Sequence, residues 1–280
     1  MGDKSAIEWT EATWNPVAGC SKVSPGCAHC YAEAISLRFG RSVGPWTPEN
    51  AAANVVLHPE RLDQPLRWRR PRMIFVNSMS DLFHEQVPDD FIDSVFAAMA
   101  FASQHTYQIL TKRPERAIEW FASEHPTRNR ADRVREACGD RFGWAETFPG
   151  EDPLLAWPLP NVWLGVSIEN SRFTARASVL RDVPAAVRFV SAEPLLGSLF
   201  ESGARKQPLE LMGIDWLIAG GESGPHYRPV NVQWIRELRD ACAAAGTPFF
   251  FKQWGGRTPK SGGRELDGQL YDEMPEAATG

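Results

Sequence analysis

The chain has 280 residues, of which 43% are hydrophobic and 23% charged, the balance of an ordinary soluble globular protein. This composition excludes a disordered or collagen-like chain. The net charge of −5 means that nucleic acid or an anionic membrane could be bound only through a local basic surface. No apolar run approaches the ~20 residues of a membrane-spanning helix, and the first residues, MGDKSAIEW, lack a signal peptide's apolar stretch. We therefore expect a cytoplasmic protein with no membrane partner.

The five cysteines are unevenly distributed along the chain. Cys20, Cys27 and Cys30 lie within eleven residues, whereas Cys138 and Cys242 stand alone in segments with helical patterning. An odd number of cysteines argues against a fully paired disulfide framework, and clustered cysteines in a reducing compartment serve metal binding or catalysis. We expect the two isolated cysteines to be buried structural residues, as free cysteines often are.

Short apolar runs rich in β-forming residues alternate with longer amphipathic stretches, which is typical of a parallel α/β protein. The runs are continuously apolar, so we expect strands that are buried on both faces or that line a barrel. Seven strands are predicted, one within Thr13–Gly19 and the others at Met73–Asn77, Tyr107–Thr111, Val162–Ser167, Val187–Ser191, Trp216–Ala219 and Pro248–Lys252. Helices are predicted at Asp89–Ala102, after Pro88, and at Val232–Ala245, before Gly246.

Two segments break this alternation. Residues 124–160 are rich in Arg, Glu, Gly, Pro and Trp and are predicted to be an insertion on the rim of the barrel. Residues 257–280 are polar without a clear period and are predicted to be a mobile or loosely packed tail. The predicted organisation is thus one domain over residues 1–256 followed by this tail.

Polar or small residues follow every predicted strand. In parallel α/β folds the loops after the strands converge on one face, where ligands bind. Three of these strand ends carry a glutamate, at Glu169, Glu193 and Glu222, and the end of the second strand is Asn77-Ser78-Met79-Ser80-Asp81. The strand ends together favour a polar pocket.

The three clustered cysteines follow the first predicted strand with the spacing C-x6-C-x2-C. Three thiolates can bind three irons of a [4Fe–4S] cluster and leave the fourth iron open to a ligand. They can also bind zinc, with His29 or a distant residue as the fourth ligand. The chain has no second CxxC to complete a usual zinc site, and the loop follows a strand of a repeating β/α chain, so the cluster is favoured.

A loop of three cysteines that ends in Cys27-Ala28-His29-Cys30-Tyr31, after the first strand of a β/α chain, resembles the radical S-adenosylmethionine superfamily. Most members of that superfamily use C-x3-C-x2-C, so the first gap here is wider. The chain is more closely similar to a three-cysteine-motif family commonly labelled a bacteriophage protein of unknown function. That similarity spans about Ile7 to Gly255 and is carried by several segments: TWNPVAGCSKVSPGCAHCYA, NSMSDLFH, LTKRPERA, LGVSIEN, RFVSAEPLLG, IAGGESG and PFFFKQWG.

The resemblance implies a partial (βα)6-type, TIM-like α/β barrel with parallel strands, and an enzyme with two cofactors, a [4Fe–4S] cluster and S-adenosylmethionine. An external donor would supply the electron that cleaves S-adenosylmethionine to a 5′-deoxyadenosyl radical, which takes a hydrogen atom from a substrate. The matching positions imply cluster ligands at Cys20, Cys27 and Cys30. They imply cofactor-binding residues at Ser78, Ser80 or Asp81 for the amino group, at Ser167 and Glu169 for the ribose, and further at Glu193, Gly220, Gly221 and Glu222.

An arginine-rich run, RLDQPLRWRRPR, precedes the second predicted strand. Interleaved Arg and Trp can bind phosphates and stack on bases, although such a run is more often a solvated face. Its candidate contacts with nucleic acid are Arg67, Trp68, Arg69, Arg70 and Arg72, and Lys112, Arg113 and Lys252 could reach a phosphate near the pocket. DNA or a nucleotide is the expected substrate. The alternatives are a non-catalytic zinc protein that binds nucleic acid and an iron–sulfur redox protein.

Overall fold

A computed structural model describes residues 5–122, 129–143 and 156–276. Within these residues, two strands, β2 (Val17–Ala18) and β3 (Val56–Leu57), form a small antiparallel pair. The other seven strands form one sheet in which every neighbouring pair is parallel: β1 (Ala12–Trp14), β4 (Met73–Val76), β5 (Thr106–Thr111), β6 (Val162–Ser167), β7 (Val187–Ala192), β8 (Trp216–Gly220) and β9 (Phe249–Gln253). The sheet curls into a partial barrel, so the predicted α/β class is confirmed, with seven strands in place of six.

The described helices are α1 (Tyr31–Arg38), α2 (Ala51–Asn54), α3 (Asp89–Phe101), α4 (Pro114–Ala122), α5 (Arg130–Phe142), α6 (Ala175–Asp182) and α7 (Val232–Ala245). Helix α6 packs against β6 and β7, and α7 packs against β8 and β9. Their ends follow from local chemistry. The acidic residues Asp89 and Asp90 lie in the first turn of α3, and α7 ends at Gly246, whose φ of +69° suits a left-handed cap. In the described part of the chain, none of the helices has the length and apolarity that crossing a membrane requires.

The two faces of the sheet have separate cores. The outer face packs against the helices, through residues such as Leu217 and Ile109. The face that the helices leave uncovered carries a second, aromatic cluster that contains Phe75, Trp163 and Phe189. At Gly165 a Cβ would lie 2.4 Å from the Phe189 ring, so only glycine fits against this cluster. The aromatic side chains therefore fill the interior of the barrel below the strand ends.

The C-terminal segment contacts the free edge of β9, the last strand of the sheet. The Phe251 backbone N donates to Tyr271 O at 3.0 Å, and the Trp216 Nε1 donates to Glu273 O at 2.8 Å. Leu266 is fully buried. The expectation of a loose tail therefore differs from the structure over these residues, because an edge strand offers unpaired backbone groups that a following segment can satisfy. The domain boundaries drawn from the sequence stay a prediction.

Part of the predicted rim insertion is a packed helix. Helix α5 lies against α3, with Val134 and Cys138 fully buried. Arg130 at its start donates to Asp93 Oδ1 at 2.8 Å and lies 4.6 Å above the Trp120 ring. Residues 124–128 and 144–155 of the predicted insertion lie outside the described residues.

Candidate functional site

The carboxyl ends of the strands meet at one edge of the barrel, because the register aligns Ser167 of β6 with Ser191 of β7. The loop of residues 19–30, here called the cysteine loop, crosses this edge from β2 to α1. At its start, Gly19 donates its backbone N to Met79 O at 3.0 Å and has a φ of +83°. A Cβ on Gly19 would lie 1.9 Å from Asn54 O, so only glycine permits this close approach.

The cysteine loop brings its three cysteines to the barrel mouth as free, partly exposed thiols. Desolvation raises the pKa of the Cys20 thiol to about 12, and the charge of Asp81 acts in the same direction. Desolvation likewise raises the pKa of Cys30, against which nearby backbone donors act. Burial therefore favours the protonated thiols of Cys20 and Cys30, and a metal group that binds these two residues must displace their protons.

Arg113, just after β5, connects the cysteine loop to the end of β4. Its guanidinium donates to Cys20 Sγ at 3.5 Å, to Asp81 Oδ2 at 3.1 Å and to Ser21 Oγ at 3.0 Å. Its Nε donates to Glu85 Oε1 at 3.1 Å. Since Arg113 is buried and its donors are engaged, it is not free to reach a phosphate as we expected from the sequence. It fixes the position of Cys20 instead.

The three residues after β4 that are candidates for binding the amino group of S-adenosylmethionine form hydrogen bonds with other protein groups. The Ser78 Oγ donates to Asn15 Oδ1 at 3.1 Å, and the Ser80 Oγ donates to Val17 O at 2.9 Å. Asp81 is buried and accepts from Arg113 and from Thr111 Oγ1, the latter at 2.7 Å. These contacts order the strand end and its join to the cysteine loop.

Glu169, after β6, is fully buried beneath the cysteine loop. It accepts from Ser24 Oγ and, at 3.1 Å, from the Arg176 guanidinium. A Cβ on Gly26 would lie 2.4 Å from Glu169 Oε1. The structure thus places Glu169 against the protein's own loop, and the ribose contact that the resemblance implies for it stays a prediction.

Glu222, after β8, holds the other side of the cysteine loop. Its carboxylate accepts from the Arg228 guanidinium at 2.6 Å and from His29 Nδ1 at 3.1 Å, and Arg228 in turn donates to Pro25 O at 3.0 Å. Desolvation raises the pKa of Glu222, but the hydrogen bonds from Arg228 outweigh it and the pKa is lowered. This ion pair ties the loop to the end of β8.

Three charged side chains remain partly exposed between these anchors. Lys112 donates its Nζ to Ser167 Oγ at 2.8 Å, and Lys252 donates its Nζ to Glu193 Oε1 at 2.6 Å. Gly220 lies against Glu193, where a Cβ would be 3.3 Å from the carboxylate. These groups offer two ammonium ions and a carboxylate to a ligand at the mouth.

The glycines at the end of β8, Gly220 and Gly221, let two strand ends approach each other. A Cβ on Gly221 would lie 2.0 Å from Trp254 O, which only glycine avoids. Gly220 and Gly221 therefore act through the backbone, and the structure assigns the side-chain contacts near them to Glu193 and Glu222.

A cleft of about 550 Å³ opens beside the cysteine loop, between the ends of β5 and β6. Its lining includes Val23 of the loop and several cationic side chains, among them Lys112, Arg172 and Arg176. The cleft is polar and suits a charged ligand better than an apolar one.

In the described residues, no group of three or more His, Cys, Asp or Glu side chains is placed to hold a single metal ion. The residues searched include the proposed zinc ligands Cys20, Cys27, Cys30 and His29. Each cysteine ligand of a [4Fe–4S] cluster binds a different iron, so the three sulfur atoms need not surround a single metal position. The geometry therefore does not present a preformed zinc site.

The arginine-rich run lies at the amino end of β4, the opposite end of that strand from the cysteine loop. Trp68 is only 8% exposed and packs edge-on against His105, so it is not available to stack on a base. Arg67 pairs with Asp63, whereas Arg69 and Arg70 are exposed. Nucleic-acid contact through this run stays a prediction, and it would lie away from the cysteines.

Sequence reasoning missed two residues that shape the site, Arg113 as an anchor of Cys20 and Arg228 as the partner of Glu222. Each follows a strand end in the chain, at Lys112-Arg113 and six residues after Glu222. The sequence shows that both arginines lie near strand ends, but it does not show their partners, which the fold brings together from other parts of the chain.

Comparisons with known proteins place the chain in a family. No curated protein matches it. Among solved structures it is similar to a mutant of spore photoproduct lyase, with 11% sequence identity and a TM-score of 0.40, over 86% of this chain and 63% of that one. The chain thus spans less than two thirds of the length of that protein. Residues 4–275 match the family described as a protein of unknown function, DUF5131, and the chain therefore belongs to this family.

Proposed function

We propose that the protein is a radical S-adenosylmethionine enzyme that binds a [4Fe–4S] cluster through Cys20, Cys27 and Cys30. The observation that carries this proposal is the position of three free cysteines of one loop at the carboxyl end of a parallel partial barrel. The two other cysteines, Cys138 and Cys242, are fully buried in helices α5 and α7. Three ligands leave one iron of the cluster open to a cosubstrate.

The residues around the cysteines fit such a cluster. Thiolate ligands bring negative charge to the mouth, and the Arg113 guanidinium lies 3.5 Å from Cys20 Sγ. Desolvation raises the pKa of Cys30, and the charge of Lys112 acts against that rise. Cationic hydrogen-bond donors of this kind stabilise thiolates and tune the reduction potential of a cluster.

When bound, the cluster and S-adenosylmethionine supply a one-electron reductive cleavage of the sulfonium C–S bond, which yields a 5′-deoxyadenosyl radical able to take a hydrogen atom from a substrate. Glu193 and Lys252 present a carboxylate and an ammonium, which complement the amino and carboxylate groups of the methionyl end. Lys112 offers a further cation beside them.

The other predicted site residues hold the cysteine loop and the neighbouring side chains in position. Asp81 and Glu169 brace the cysteine loop from β4 and β6, and Glu222 braces it from β8 through Arg228. The aromatic cluster below the strand ends excludes water from the far side of the site. Ser167 accepts from Lys112 and so orients that ammonium.

The test is anaerobic reconstitution with iron and sulfide, followed by dithionite and S-adenosylmethionine, with detection of 5′-deoxyadenosine. We expect the product from the native protein and from the controls Cys138→Ala and Cys242→Ala, and none from Cys27→Ala. Stoichiometric zinc without iron would favour a zinc protein. A reducible cluster that forms no 5′-deoxyadenosine would favour an electron-transfer protein, and either result would overturn the proposal.

A further inference from the structure

Helix α1 presents its large apolar side chains to solvent. Tyr31 and Ile35 of α1 and Phe39, the residue that caps its C-terminus, are spaced four residues apart, with 53%, 38% and 62% of their surfaces exposed. The buried residues of the same helix are Ala32, Glu33 and Ser36. This distribution inverts the usual pattern, in which a surface helix buries its apolar face. Neighbouring exposed apolar side chains of this kind are typical of interaction sites.

The same surface is positively charged. The guanidinium groups of Arg38 and Arg41 lie 5.6 Å and 5.5 Å from the centre of the Phe39 ring. In the described part of the chain, neither forms an ion pair with a carboxylate, and the charge of Arg41 also acts on Arg61. We call Tyr31, Ile35, Phe39 and these two arginines the α1 surface. On a protein with a net charge of −5, it is a local positive region.

The α1 surface begins at the cysteine loop. Cys30 is the residue that caps the N-terminus of α1, and the eight residues of the helix span about 12 Å. The Tyr31 hydroxyl donates to Ser78 O, at the end of β4, at 2.5 Å. The whole surface therefore lies within about one helix length of a proposed cluster ligand.

We propose that the α1 surface docks a small acidic protein that carries an electron at low potential on a flavin or an iron–sulfur centre. This inference rests on the proposed function, which requires an electron from outside the chain. In the transfer the donor is oxidised by one electron and the cluster is reduced by one, and no bond is formed or broken. The arginines would steer the acidic donor to this surface, and the apolar residues would fix it there.

A protein fits this surface better than a nucleic acid does. The neighbouring exposed side chains Leu37 and Val43 are aliphatic, and aliphatic groups complement a protein surface but offer no plane for a base. The Phe39 ring already lies beside two guanidinium groups. Aromatic and Arg residues together are the side chains that protein interfaces favour.

The test uses reconstituted protein and flavodoxin, an acidic flavoprotein, in its fully reduced form as the probe. Cluster reduction is followed by stopped-flow absorbance at low salt. We expect Arg38→Glu/Arg41→Glu to lower the second-order rate constant by at least about tenfold and to remove its salt dependence. Reduction by dithionite should be unchanged. The matched control, Arg69→Glu/Arg70→Glu at the other end of β4, should behave as the native protein does.

Iron and sulfide are measured first in each variant, so a native protein that binds no cluster contradicts the proposed function before any kinetics. If the native protein binds a cluster, equal flavodoxin rates in native protein and variant overturn the docking proposal. An equal loss with dithionite also overturns it, because the defect then lies at the cluster. Unchanged flavodoxin rates with weaker binding of single-stranded DNA would assign the α1 surface to nucleic acid instead.

Discussion

Arg113 joins three parts of the chain, and its replacement by Met should destabilise the barrel mouth. Its guanidinium and the Asp81 carboxylate are only 6% and 7% exposed and lie 3.1 Å apart. In Arg113→Met, Asp81 keeps its bonds to Thr111 Oγ1 and to the Lys112 backbone but loses its charged partner. Loss of one member of a buried ion pair costs about 3–5 kcal/mol, since the other charge stays desolvated. We expect this decrease in the free energy of unfolding.

The double variant separates the ion pair from simple loss of packing. Asp81→Leu should cost about as much as Arg113→Met, whereas both changes together leave no unpaired buried charge, since Glu85, the other partner of Arg113, is exposed. The decrease in the free energy of unfolding of the double variant should therefore be smaller than the sum of the two single decreases by about 1–3 kcal/mol. Urea unfolding followed by tryptophan fluorescence measures all three, with the exposed Arg69→Met as a control expected within about 0.5 kcal/mol of the native protein. A loss below about 1 kcal/mol for Arg113→Met, or full additivity, would refute this reasoning.

Three further changes test other contacts of the site and the fold. Glu169→Gln weakens the bond from Arg176 and should lower the free energy of unfolding by about 1.5–3 kcal/mol, with faster proteolysis of the cysteine loop. The pKa of Glu222 is lowered from 4.5 in the folded state, so the stability that its carboxylate contributes is present above about pH 4.5 and is lost as the pH falls through the lowered value. Glu222→Gln should therefore flatten the decrease in Tm on the acid side. An unchanged profile of Tm against pH would contradict this. Leu266→Ala should cost about 2–5 kcal/mol in urea unfolding, whereas a loose tail would give almost none.

The sheet was predictable because its strands are continuous apolar runs bounded by small or polar residues. The predicted Val162–Ser167 and Val232–Ala245 match β6 and α7 at both ends. The pair of β2 and β3 was missed, since two-residue strands carry no periodicity. The packing of Leu266 was missed as well, because it depends on the free edge of β9, which a polar segment does not reveal.

The candidate site was predictable in its location and less so in its side-chain contacts. Spacing and position after the first strand identified the cysteine loop, and each strand end carries polar residues as expected. The contacts of Glu169 were not foreseen, because the sequence shows its position after a strand but not the Ser24 hydroxyl that covers it. Arg113 lies 32 residues from Asp81, and only the sheet brings them together.

The central claim is that three cysteines hold a cluster with one open iron, and electron paramagnetic resonance of the reduced, reconstituted protein tests it most directly. We predict about four irons and four sulfides per chain, and a reduced-cluster signal that changes when S-adenosylmethionine is added. Cys20→Ala, Cys27→Ala and Cys30→Ala should each lose that signal, while Cys138→Ala and Cys242→Ala should retain it. A resonance signal that does not change when S-adenosylmethionine is added, or full iron content in Cys27→Ala, would contradict the claim.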